Sequence, residues 1–373
     1  MSVKICHITS AHMNTDVRIL EKECASLAKI ENYEVYLVGG GESYIKNNVK
    51  VVGMGDIPKS RKERSNNFAK KVIKKAIEID ADIYHLHDPE LLRFSLTLKK
   101  KGKKVIYDSH EDTVLDIYRK DYIPKILRPI IAFAMKKYLA NFTSRIDAVV
   151  TVTPDIVQKY KKYNGNVYLV TNYPIIDTEK TQIESKKNSN IVSLFFAGGV
   201  SSMWSHDIIV DVLNEFDDIK YELYGVADDS YLEFLNAKES WKKVNYHGKV
   251  PFDEVDRCMW DADIGIALMQ YIRGDDKTGT LGNTKIFEMM LHGLPVIATD
   301  YILWKEIIED KNCGICINPN NIEELKQAIE YLINNREKAS NMGKNGRKLV
   351  LTKYNWETQE KELYDVYKAL QNI

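Results

Sequence analysis

Short runs of apolar residues alternate along this chain with longer stretches in which apolar positions recur at helical spacing. Such alternation is typical of parallel sheets, whose strands are connected by helices that cover both faces. The pattern therefore predicts an α/β fold with two parallel sheets. The predicted strands are residues 3–8, 33–38, 49–54, 83–86, 104–107, 148–152 and 167–170 in the first half, and residues 192–196, 221–224, 244–246, 264–268, 296–298 and 315–317 in the second.

A polar stretch between Pro174 and Asn190 separates the two halves, because the apolar pattern lapses there into Asp, Glu, Lys, Asn and Ser. The chain, at 373 residues, is also longer than one ordinary domain of about 100 to 200 residues. We therefore expect an N-terminal domain of residues 1–175 and a C-terminal domain of residues 190–354. Three helical stretches end the chain, at residues 322–332, 336–351 and 355–370.

The charge of the chain is balanced overall but unevenly distributed. Residues 1–175 carry 30 basic and 20 acidic side chains, and the remaining residues carry 23 and 33. The stretch 125–145 interleaves apolar and basic positions, so this helix either lies on an anionic membrane surface or packs on the core with a solvated basic face. No recognised nucleic-acid motif accompanies the lysines, and we expect no nucleic-acid partner.

Several sequence features bear on the location of the protein. No segment approaches the roughly 20 uninterrupted apolar residues of a membrane span, and no charged leader precedes the first predicted strand. The five cysteines are odd in number and fit a reducing compartment. Cys313 and Cys316 either belong to a buried strand or form a redox or metal pair. We expect a cytoplasmic protein, either free or peripheral at the inner face of the membrane.

Polar residues with binding or catalytic chemistry cluster where predicted strands of the first half end. Ligands of open parallel sheets bind at the carboxyl ends of the strands, so these side chains are expected at one edge. They are His7, Thr9, Ser10 and His12 after the first strand, His85, His87, Asp88 and Glu90 around the fourth, and Asp108, His110 and Glu111 around the fifth. His85 and His87 share a strand face and could form a metal site with His110, or be hydrogen-bonded strand-end residues.

The second half offers a candidate anion site. Gly198 and Gly199 follow its first strand, and the missing side chains let a ligand approach backbone N–H groups. A helix is predicted to begin near Asn283, Thr284 and Lys285. The free N–H groups and the positive dipole end of that helix would hold an anion beside the lysine.

Residues 285–298, KIFEMMLHGLPVIA, resemble the donor-site signature of glycosyltransferase family 4, a family of retaining enzymes with the GT-B fold. The likeness is to bacterial surface-polysaccharide glycosyltransferases in particular. It covers most of the chain, including residues 9–23 with Asp16, Arg18 and Glu23, and residues 87–90, 108–111, 172–174 and 247–250.

The resemblance implies two Rossmann-like parallel-sheet domains facing a central cleft, with the C-terminal helix, residues 355–373, crossing back to join the N-terminal domain. The N-terminal domain would bind a saccharide or lipid-linked acceptor, and the C-terminal domain a UDP- or GDP-sugar. The implied activity is retaining transfer of a hexose-type sugar to an acceptor hydroxyl in polysaccharide biosynthesis. It requires no metal and no other cofactor.

The resemblance also implies residue roles. Glu288 would bind the donor ribose, and Lys285 and the helix N-terminus would hold the diphosphate. The catalytic candidates are His110, Glu288 and Lys285. The alternatives are an ordinary acidic residue near a helix start, a solvated lysine and a structural histidine. Further donor-site candidates are Gly198, Gly199, Lys249, Arg273, Lys277, Asn283 and Thr284, and acceptor-site candidates are His12, Asp16, His87, Asp88, His110 and Glu111.

Two places depart from the family pattern. Thr280 stands where members often carry Glu, and the sequence after the glycines is Val-Ser-Ser-Met-Trp (200–204) where Arg and Lys are common. We therefore expect Arg273, Lys277 and Lys249 to help neutralise the phosphates.

Three other classes stay open. A non-hydrolysing nucleotide-sugar epimerase shares the two-domain architecture, and a non-catalytic scaffold in a polysaccharide assembly complex would tolerate the missing cations. A nicotinamide dehydrogenase fits the α/β pattern, but the chain lacks its glycine fingerprint.

Overall fold

The computed structural model describes residues 2–120, 122–176, 191–271 and 277–371. The chain forms two compact units, one of Met1–Asn172 together with Trp356–Ile373 and one of Tyr173–Asn355. Residues 177–190, which make up most of the predicted linker, lie outside the described residues.

The first unit contains an eight-stranded sheet of order β3-β4-β2-β1-β5-β6-β7-β8, parallel except for the edge pair β3 and β4. Its strands are β1 (Val3–Met13), β2 (Tyr33–Gly40), β3 (Tyr44–Lys46), β4 (Val49–Gly53), β5 (Ile83–Leu86), β6 (Lys104–Ser109), β7 (Ala148–Thr151) and β8 (Val167–Leu169).

Helical segments connect these strands and cover the sheet. The α-helices are α1 (Ala25–Leu27), α2 (Arg61–Glu63), α3 (Ala69–Ile79), α4 (Ser95–Lys100), α5 (Thr113–Arg119), α6 (Arg128–Thr143), α7 (Pro154–Tyr160) and the C-terminal α15 (Trp356–Gln371). Val17–Cys24 and Arg64–Phe68 are π-helical, and Pro89–Phe94 and Lys125–Leu127 are 3₁₀-helical.

The second unit contains a six-stranded parallel sheet of order β11-β10-β9-β12-β13-β14. Its strands are β9 (Val192–Ala197), β10 (Ile219–Tyr224), β11 (Val244–Gly248), β12 (Ile264–Ala267), β13 (Val296–Thr299) and β14 (Gly314–Ile317). Its α-helices are α8 (His206–Val212), α9 (Asp229–Asn236), α10 (Phe252–Asp261), α11 (Thr284–Leu291), α12 (Ile302–Ile308), α13 (Ile322–Asn334) and α14 (Arg336–Thr352), with 3₁₀ turns at Ser202–Trp204, Leu213–Glu215 and Glu239–Lys243.

These two parallel-sheet units confirm the predicted α/β class. Each predicted strand corresponds to an observed one, and the short antiparallel edge strand β3 is the addition among the described residues. Strand β1 runs five residues beyond its predicted end, so His12 lies within it. The pairing with β5 ends at Ile8, but β1 pairs with β2 again at Met13, opposite Gly40, so the strand continues through polar positions that the apolar pattern does not mark.

The C-terminal helix α15 packs on the sheet of the first unit, as the resemblance implies. Leu363, Val366 and Tyr367 are fully buried in a cluster that includes Ile5 of β1 and Ile106 of β6. The hydrophobic effect therefore ties the end of the chain to its beginning.

Helix α6 and the turn before it expose apolar side chains. Ile126, Ile130 and Phe133 are 83, 66 and 62% exposed, whereas Ala132 and Leu139 are buried. The helix therefore packs on the unit through a narrow stripe, and its outer surface is not simply a solvated basic face.

None of the helices among the described residues combines the length and apolarity needed to cross a bilayer. All five cysteines are free, and Cys313 and Cys316 are buried at strand β14, as the strand interpretation expects.

Candidate functional site

Three histidines lie side by side in the first unit because β1 and β5 are neighbouring parallel strands. His7 is the register partner of His85, and His87 follows two residues after His85. The ring centroids of His7 and His85 are 4.6 Å apart, and those of His85 and His87 are 4.8 Å apart. All three residues are at most 3% exposed.

Asp108, at the end of β6, anchors this cluster through Arg18. The guanidinium contacts both carboxylate oxygens, with Nη2 at 3.2 Å from Oδ1 and 2.9 Å from Oδ2, and Nη1 donates to the carbonyl of Val170. Burial acts to raise the pKa of Asp108, but the charge of Arg18 outweighs it and the pKa lies well below its usual range. Asp108 is therefore a buried, charge-compensated anion.

Glu23 completes the anchor without adding a second charge. Its Oε1 lies 3.0 Å from Arg18 Nε. Burial and the neighbouring Asp108 raise the pKa of Glu23 well above its usual range, against the opposing effect of Arg18. Because the protonated form is favoured, Arg18 and Asp108 balance each other in the cluster.

The histidines form a hydrogen-bonded chain with two further residues. His110 Nε2 lies 3.0 Å from His87 Nδ1, and His87 Nε2 lies 2.9 Å from His7 Nδ1. The hydroxyl of Tyr367 then bridges His7 Nε2 at 3.1 Å and His85 Nδ1 at 2.7 Å. Burial is the first cause that lowers the pKa of His85 to about 3 and those of His7 and His87 well below the usual range, so these rings are neutral.

The predicted acceptor residues differ in their exposure. His110 and His12 are partly exposed, Glu111 is exposed, and His87 is buried behind His110. Asp16 caps the helical turn that begins at Val17 by accepting from the N–H of Ile19. The structure thus brings His12, Asp16, His87 and His110 to one region but turns only some of them outward.

Asp88 has a structural role in this region. Its Oδ2 accepts from the Thr9 hydroxyl at 2.9 Å and from the N–H groups of Ser10 and Ala11 at 2.6 and 3.2 Å. This carboxylate therefore shapes the end of β1. Its Oδ1 lies 3.6 Å from His12 Nε2, which links it to the more exposed acceptor candidates.

His12 and Asp16 form an ion pair with Nδ1 to Oδ2 at 3.4 Å. The hydrogen bond with Asp16 is the main cause of a raised pKa of His12. For Asp16, burial acts to raise the pKa, but His12 and the N–H of Ile19 outweigh it and lower the value.

Two groups in the described part of the chain could hold a metal: His7, Glu23, His85 and His87, and His87, Asp108 and His110. In the first group, His7 Nδ1 and His87 Nε2 are only 2.9 Å apart, which is a hydrogen-bond distance. The rings of His85 and His87 are nearly parallel, at 13°, so their in-plane lone pairs do not converge on one point. We therefore interpret the cluster as a chain of shared protons, and metal independence stays a prediction.

In the second unit, the loop after β9 approaches another backbone segment closely. Gly198 has φ of +152°, and a side chain at Gly225 would lie 1.7 Å from the Gly198 carbonyl oxygen. A Cβ at Gly198 would lie 2.9 Å from Lys285 Cε. These glycines therefore let the loop pass beside Lys285, while Gly199 is exposed with open space around it.

Lys285 lies in the first turn of α11, and its ammonium group is held against an aromatic side chain. Nζ is 3.7 Å from the centre of the Trp204 ring and 3.3 Å from Asn283 Oδ1. Among the described residues, no carboxylate lies within ion-pair distance of it. Burial lowers the pKa of Lys285 to about 7, so this ammonium group is deprotonated more easily than that of an ordinary lysine.

Helix α11 begins at Thr284, as predicted, and places Lys285 and Glu288 three residues apart on one face. Asn283 occupies the N-cap position without a side-chain cap bond. Glu288 is partly exposed. The N-terminal end of α11, Lys285 and Glu288 thus form one polar region beside the glycine loop.

The other predicted donor residues lie in varied surroundings. Lys277 Nζ is 2.6 Å from Asp300 Oδ2, so an anion would compete with that carboxylate. Lys249 is exposed, and Arg273 lies outside the described residues. Thr280, at the position of the missing Glu, accepts at its carbonyl from Trp304 Nε1 at 2.7 Å.

Sequence reasoning did not identify two side chains that dominate these regions. Trp204 counted only as a departure from the family pattern, and Tyr367 lies on the last helix, 360 residues from His7. An aromatic residue on an amphipathic helix carries no sign of what its hydroxyl contacts. The one available signal was the position of Trp204 five residues after Gly199.

Comparisons with known proteins place this architecture. The model described as Glycosyltransferase Family 4 matches residues 18–180, and the model described as Glycosyl transferases group 1 matches residues 177–349. Anabaena HepE in complex with UDP and glucose has a similar fold, with a TM-score of 0.72, 14% identity, and coverage of 98% of this chain and 100% of that one. Sucrose-phosphate synthase from Thermosynechococcus elongatus has a TM-score of 0.73 at 14% identity, covering 99% of both chains.

Relatives recognised by sequence carry the same description. An uncharacterized glycosyltransferase of Methanocaldococcus jannaschii, MJ1178, is 24% identical over 338 residues, 88% of each chain. A second from that organism, MJ1069, is 27% identical over 129 residues, and this match spans 35% of the chain and about a third (31%) of the relative.

The fold is that of a GT-B glycosyltransferase, and the class of protein is a transferase. The match of residues 18–180 to the Glycosyltransferase Family 4 model and of residues 177–349 to the Glycosyl transferases group 1 model confirms the resemblance to glycosyltransferase family 4 that the sequence indicated.

Proposed function

We propose that this protein is a retaining glycosyltransferase that moves a hexose-type sugar from a UDP- or GDP-sugar to an acceptor hydroxyl, without a metal ion. In this proposal the second unit binds the donor and the first unit binds the acceptor. The observation that carries the proposal is Lys285, a cation at a helix N-terminus with no carboxylate partner among the described residues.

A diphosphate suits the surroundings of Lys285. Burial of an ammonium group without a counter-ion is unfavourable, so an anion that supplies the missing charge is bound with a gain in free energy. The first N–H groups of α11 and its dipole add to this attraction. The approach of the Gly198 backbone leaves room for a ligand that side chains would block.

Glu288 supports recognition of a nucleoside. A carboxylate is an acceptor for the two hydroxyls of a ribose, and Glu288 lies one turn along the same helix face as Lys285. In this proposal Glu288 binds the ribose of a nucleoside diphosphate and Lys285 binds its phosphates. Charge on the departing diphosphate would be stabilised by Lys285 and the helix N-terminus, so a metal is not needed for that role.

Nucleotide binding tests the donor site. We expect UDP or GDP to raise the melting temperature of the wild-type protein without added metal. The substitution Lys285→Met should raise the dissociation constant of the nucleotide at least tenfold. Lys338→Met is the matched control, because Lys338 also lies over an aromatic ring, that of Tyr331, but is exposed on the surface.

Two substitutions test the division of roles. Glu288→Ala should abolish turnover of the donor while leaving the fold intact, and His110→Ala should lower transfer far more than nucleotide affinity. Loss of nucleotide binding alone in His110→Ala would contradict the division. Product formed from the donor without any acceptor would indicate an epimerase, and failure of every nucleotide diphosphate to bind would favour the scaffold.

Peripheral membrane association is part of the proposal, and a lipid-linked acceptor in polysaccharide biosynthesis would be consistent with it. The exposed Ile126, Ile130 and Phe133 are accompanied by Lys125 and Lys137. Apolar side chains that enter the headgroup region next to cations bind anionic bilayers.

Vesicle sedimentation tests this surface. The wild-type protein should sediment with vesicles containing phosphatidylglycerol and less with pure phosphatidylcholine. Ile130→Asp with Phe133→Asp should abolish the difference. Phe252→Asp is the control, because Phe252 is similarly exposed, at 60%, but belongs to α10 of the second unit. Equal sedimentation of the double variant and the control would refute the membrane role of α6.

A further inference from the structure

The number of protons in the chain of hydrogen bonds from His110 to His85 limits how these bonds can be arranged. The chain joins five residues by four hydrogen bonds: His110 to His87, His87 to His7, His7 to Tyr367, and Tyr367 to His85. Each neutral imidazole carries one N–H and the tyrosine carries one O–H. When His110 is neutral, five protons are present, so four occupy the bonds and one remains at an end.

Only two arrangements therefore satisfy every bond. In one, the remaining proton is on His110 Nδ1, and every hydrogen bond is donated in the direction of His110. In the other, it is on His85 Nε2, and all donors point the opposite way. The residues between the two ends reverse together, because a single reversed ring would place two protons, or none, in one bond. The tautomer of the partly exposed His110 is thus coupled to a fully buried nitrogen.

Asp108 decides between the arrangements. Its Oδ2 lies 3.3 Å from His110 Nε2, 3.7 Å from His87 Nδ1 and 4.0 Å from His85 Nε2. A carboxylate favours an N–H facing it and disfavours a lone pair. The arrangement with the remaining proton on His85 puts an N–H at His110 Nε2, the nearest of these nitrogens, and at His85 Nε2, and leaves a lone pair at His87 Nδ1. The other arrangement puts an N–H at His87 Nδ1 alone, so the first is favoured at two of the three contacts. Arg18 keeps Asp108 ionised through its bidentate contact.

We infer that this chain of hydrogen bonds holds His110 as the tautomer in which Nδ1 is unprotonated, and that Nδ1 accepts a hydrogen bond from a hydroxyl of the saccharide acceptor. Among the described residues, no hydrogen bond occupies Nδ1, since the contacts of His110 to His87 and Asp108 both use Nε2. His7, His85, His87 and Tyr367 are then positioning residues. That this hydroxyl belongs to the saccharide acceptor rests on the proposed function. The assignment of the His110 tautomer does not depend on that function.

The tautomer is observable in the full-length wild-type protein. Two-bond and three-bond ¹H–¹⁵N correlations of ¹⁵N-histidine distinguish a protonated ring nitrogen from a bare one, and His110→Gln identifies the His110 signals among the eight histidines. We expect neutral His110 to carry its proton on Nε2. A proton on Nδ1 in the neutral form would overturn the inference, whatever the enzyme assays show.

Tyr367→Phe tests the coupling along the chain. In this variant the Nε2–H of His7 faces a phenylalanine ring and has no hydrogen-bond acceptor. The arrangement with the proton on His7 Nδ1 is then less disfavoured, so part of the His110 population should move to the Nδ1–H tautomer. Tyr33→Phe is the matched control: Tyr33 lies 6.3 Å from Tyr367 ring to ring and accepts from Gln371 of the same helix, but its hydroxyl is outside the chain. Unchanged His110 correlations in folded Tyr367→Phe would refute the coupling, and if that variant does not fold, the wild-type spectrum still decides.

A saccharide acceptor gives the functional readout. Loss of one hydrogen bond corresponds to a three- to tenfold effect, roughly, so Tyr367→Phe should raise the KM for the acceptor by about this factor, with the UDP dissociation constant unchanged. A folded Tyr367→Phe protein with an altered tautomer but an unchanged acceptor KM would contradict the role of Nδ1. Absence of UDP binding in the wild type would instead refute the proposed function and leave the tautomer result standing.

Discussion

The ammonium group of Lys285 lies 3.7 Å from the centre of the Trp204 ring, and Trp204 lies in the segment where the resemblance to glycosyltransferase family 4 led us to expect Arg or Lys. The aromatic face of Trp204 attracts the ammonium group but also removes water from it. The donor region thus has a cation whose charge depends on its ligand.

Nucleotide binding should depend on pH near neutrality. The pKa of Lys285 is about 7 in the free protein because of burial, and a bound diphosphate would raise it. Lys285 should therefore take up a proton on binding above pH 7, and affinity should fall toward tenfold per pH unit as pH rises from 7 to 9. Titration calorimetry in two buffers of different ionisation enthalpy measures the uptake; none at pH 8 would contradict the assigned anion site.

Lys285 should also lower the stability of the second unit. The unfolded chain keeps this lysine protonated to about pH 10, whereas the folded chain keeps it so only to about pH 7, so the unfolded state binds more protons between these values. Stability from this group therefore rises with pH across that window. At pH 6, Lys285→Met should raise the free energy of unfolding by about 1 to 3 kcal/mol, and the gain should shrink toward pH 9. Urea unfolding at both values, with Lys338→Met as the reference, measures the difference.

Removal of Arg18 should destabilise the first unit. Arg18→Met leaves Asp108 buried without its counter-ion, which costs about 3 to 5 kcal/mol in comparable sites. Arg64→Met, whose Nε is 3.5 Å from the Glu90 carboxylate at a more exposed position, should cost about 1 kcal/mol or less. Denaturant unfolding compares the two. Equal losses would show that Arg18 does not compensate Asp108.

The pKa of His12 should depend on Asp16. The hydrogen bond with Asp16 raises the pKa of His12, so Asp16→Asn should lower that pKa. The stabilisation from this pair is present below the unfolded pKa of histidine and is lost as pH rises through the folded value. An NMR titration of the His12 ring measures the change, and the pKa of His12 should not move in Glu111→Gln by a comparable amount, because Asp16 is the direct partner.

Local patterns were sufficient to predict most of the fold. Strands β12 and β13 are short, apolar and buried at every position, and parallel strands covered by helices require such runs. The start of α11 at Thr284 was also predictable, because the apolar periodicity begins there after a glycine-containing loop. Strand β3 was missed, since a three-residue edge strand with two exposed positions carries no apolar signal.

The candidate sites were only partly predictable. His85, His87, Asp108 and His110 were expected together because neighbouring strands bring their carboxyl ends to one edge. That Asp88 would accept from the backbone of Ser10 and Ala11 could not be read from a carboxylate beside a histidine. The involvement of Lys277 with Asp300 was hidden in the same way, because a lysine in a loop has many possible partners.

The sequence by itself determined the class of fold, the family and the segments that carry its chemistry, because periodicity and motif spacing are local properties. Only the tertiary structure decided which side chains contact each other and so set each other's pKa values and hydrogen bonds. Trp204 rests on Lys285 although 81 residues separate them, and Tyr367 of the last helix joins His7 of the first strand to His85. Hydrogen-bond order and local desolvation depend on what surrounds a side chain in space, and that is set only when distant segments pack together.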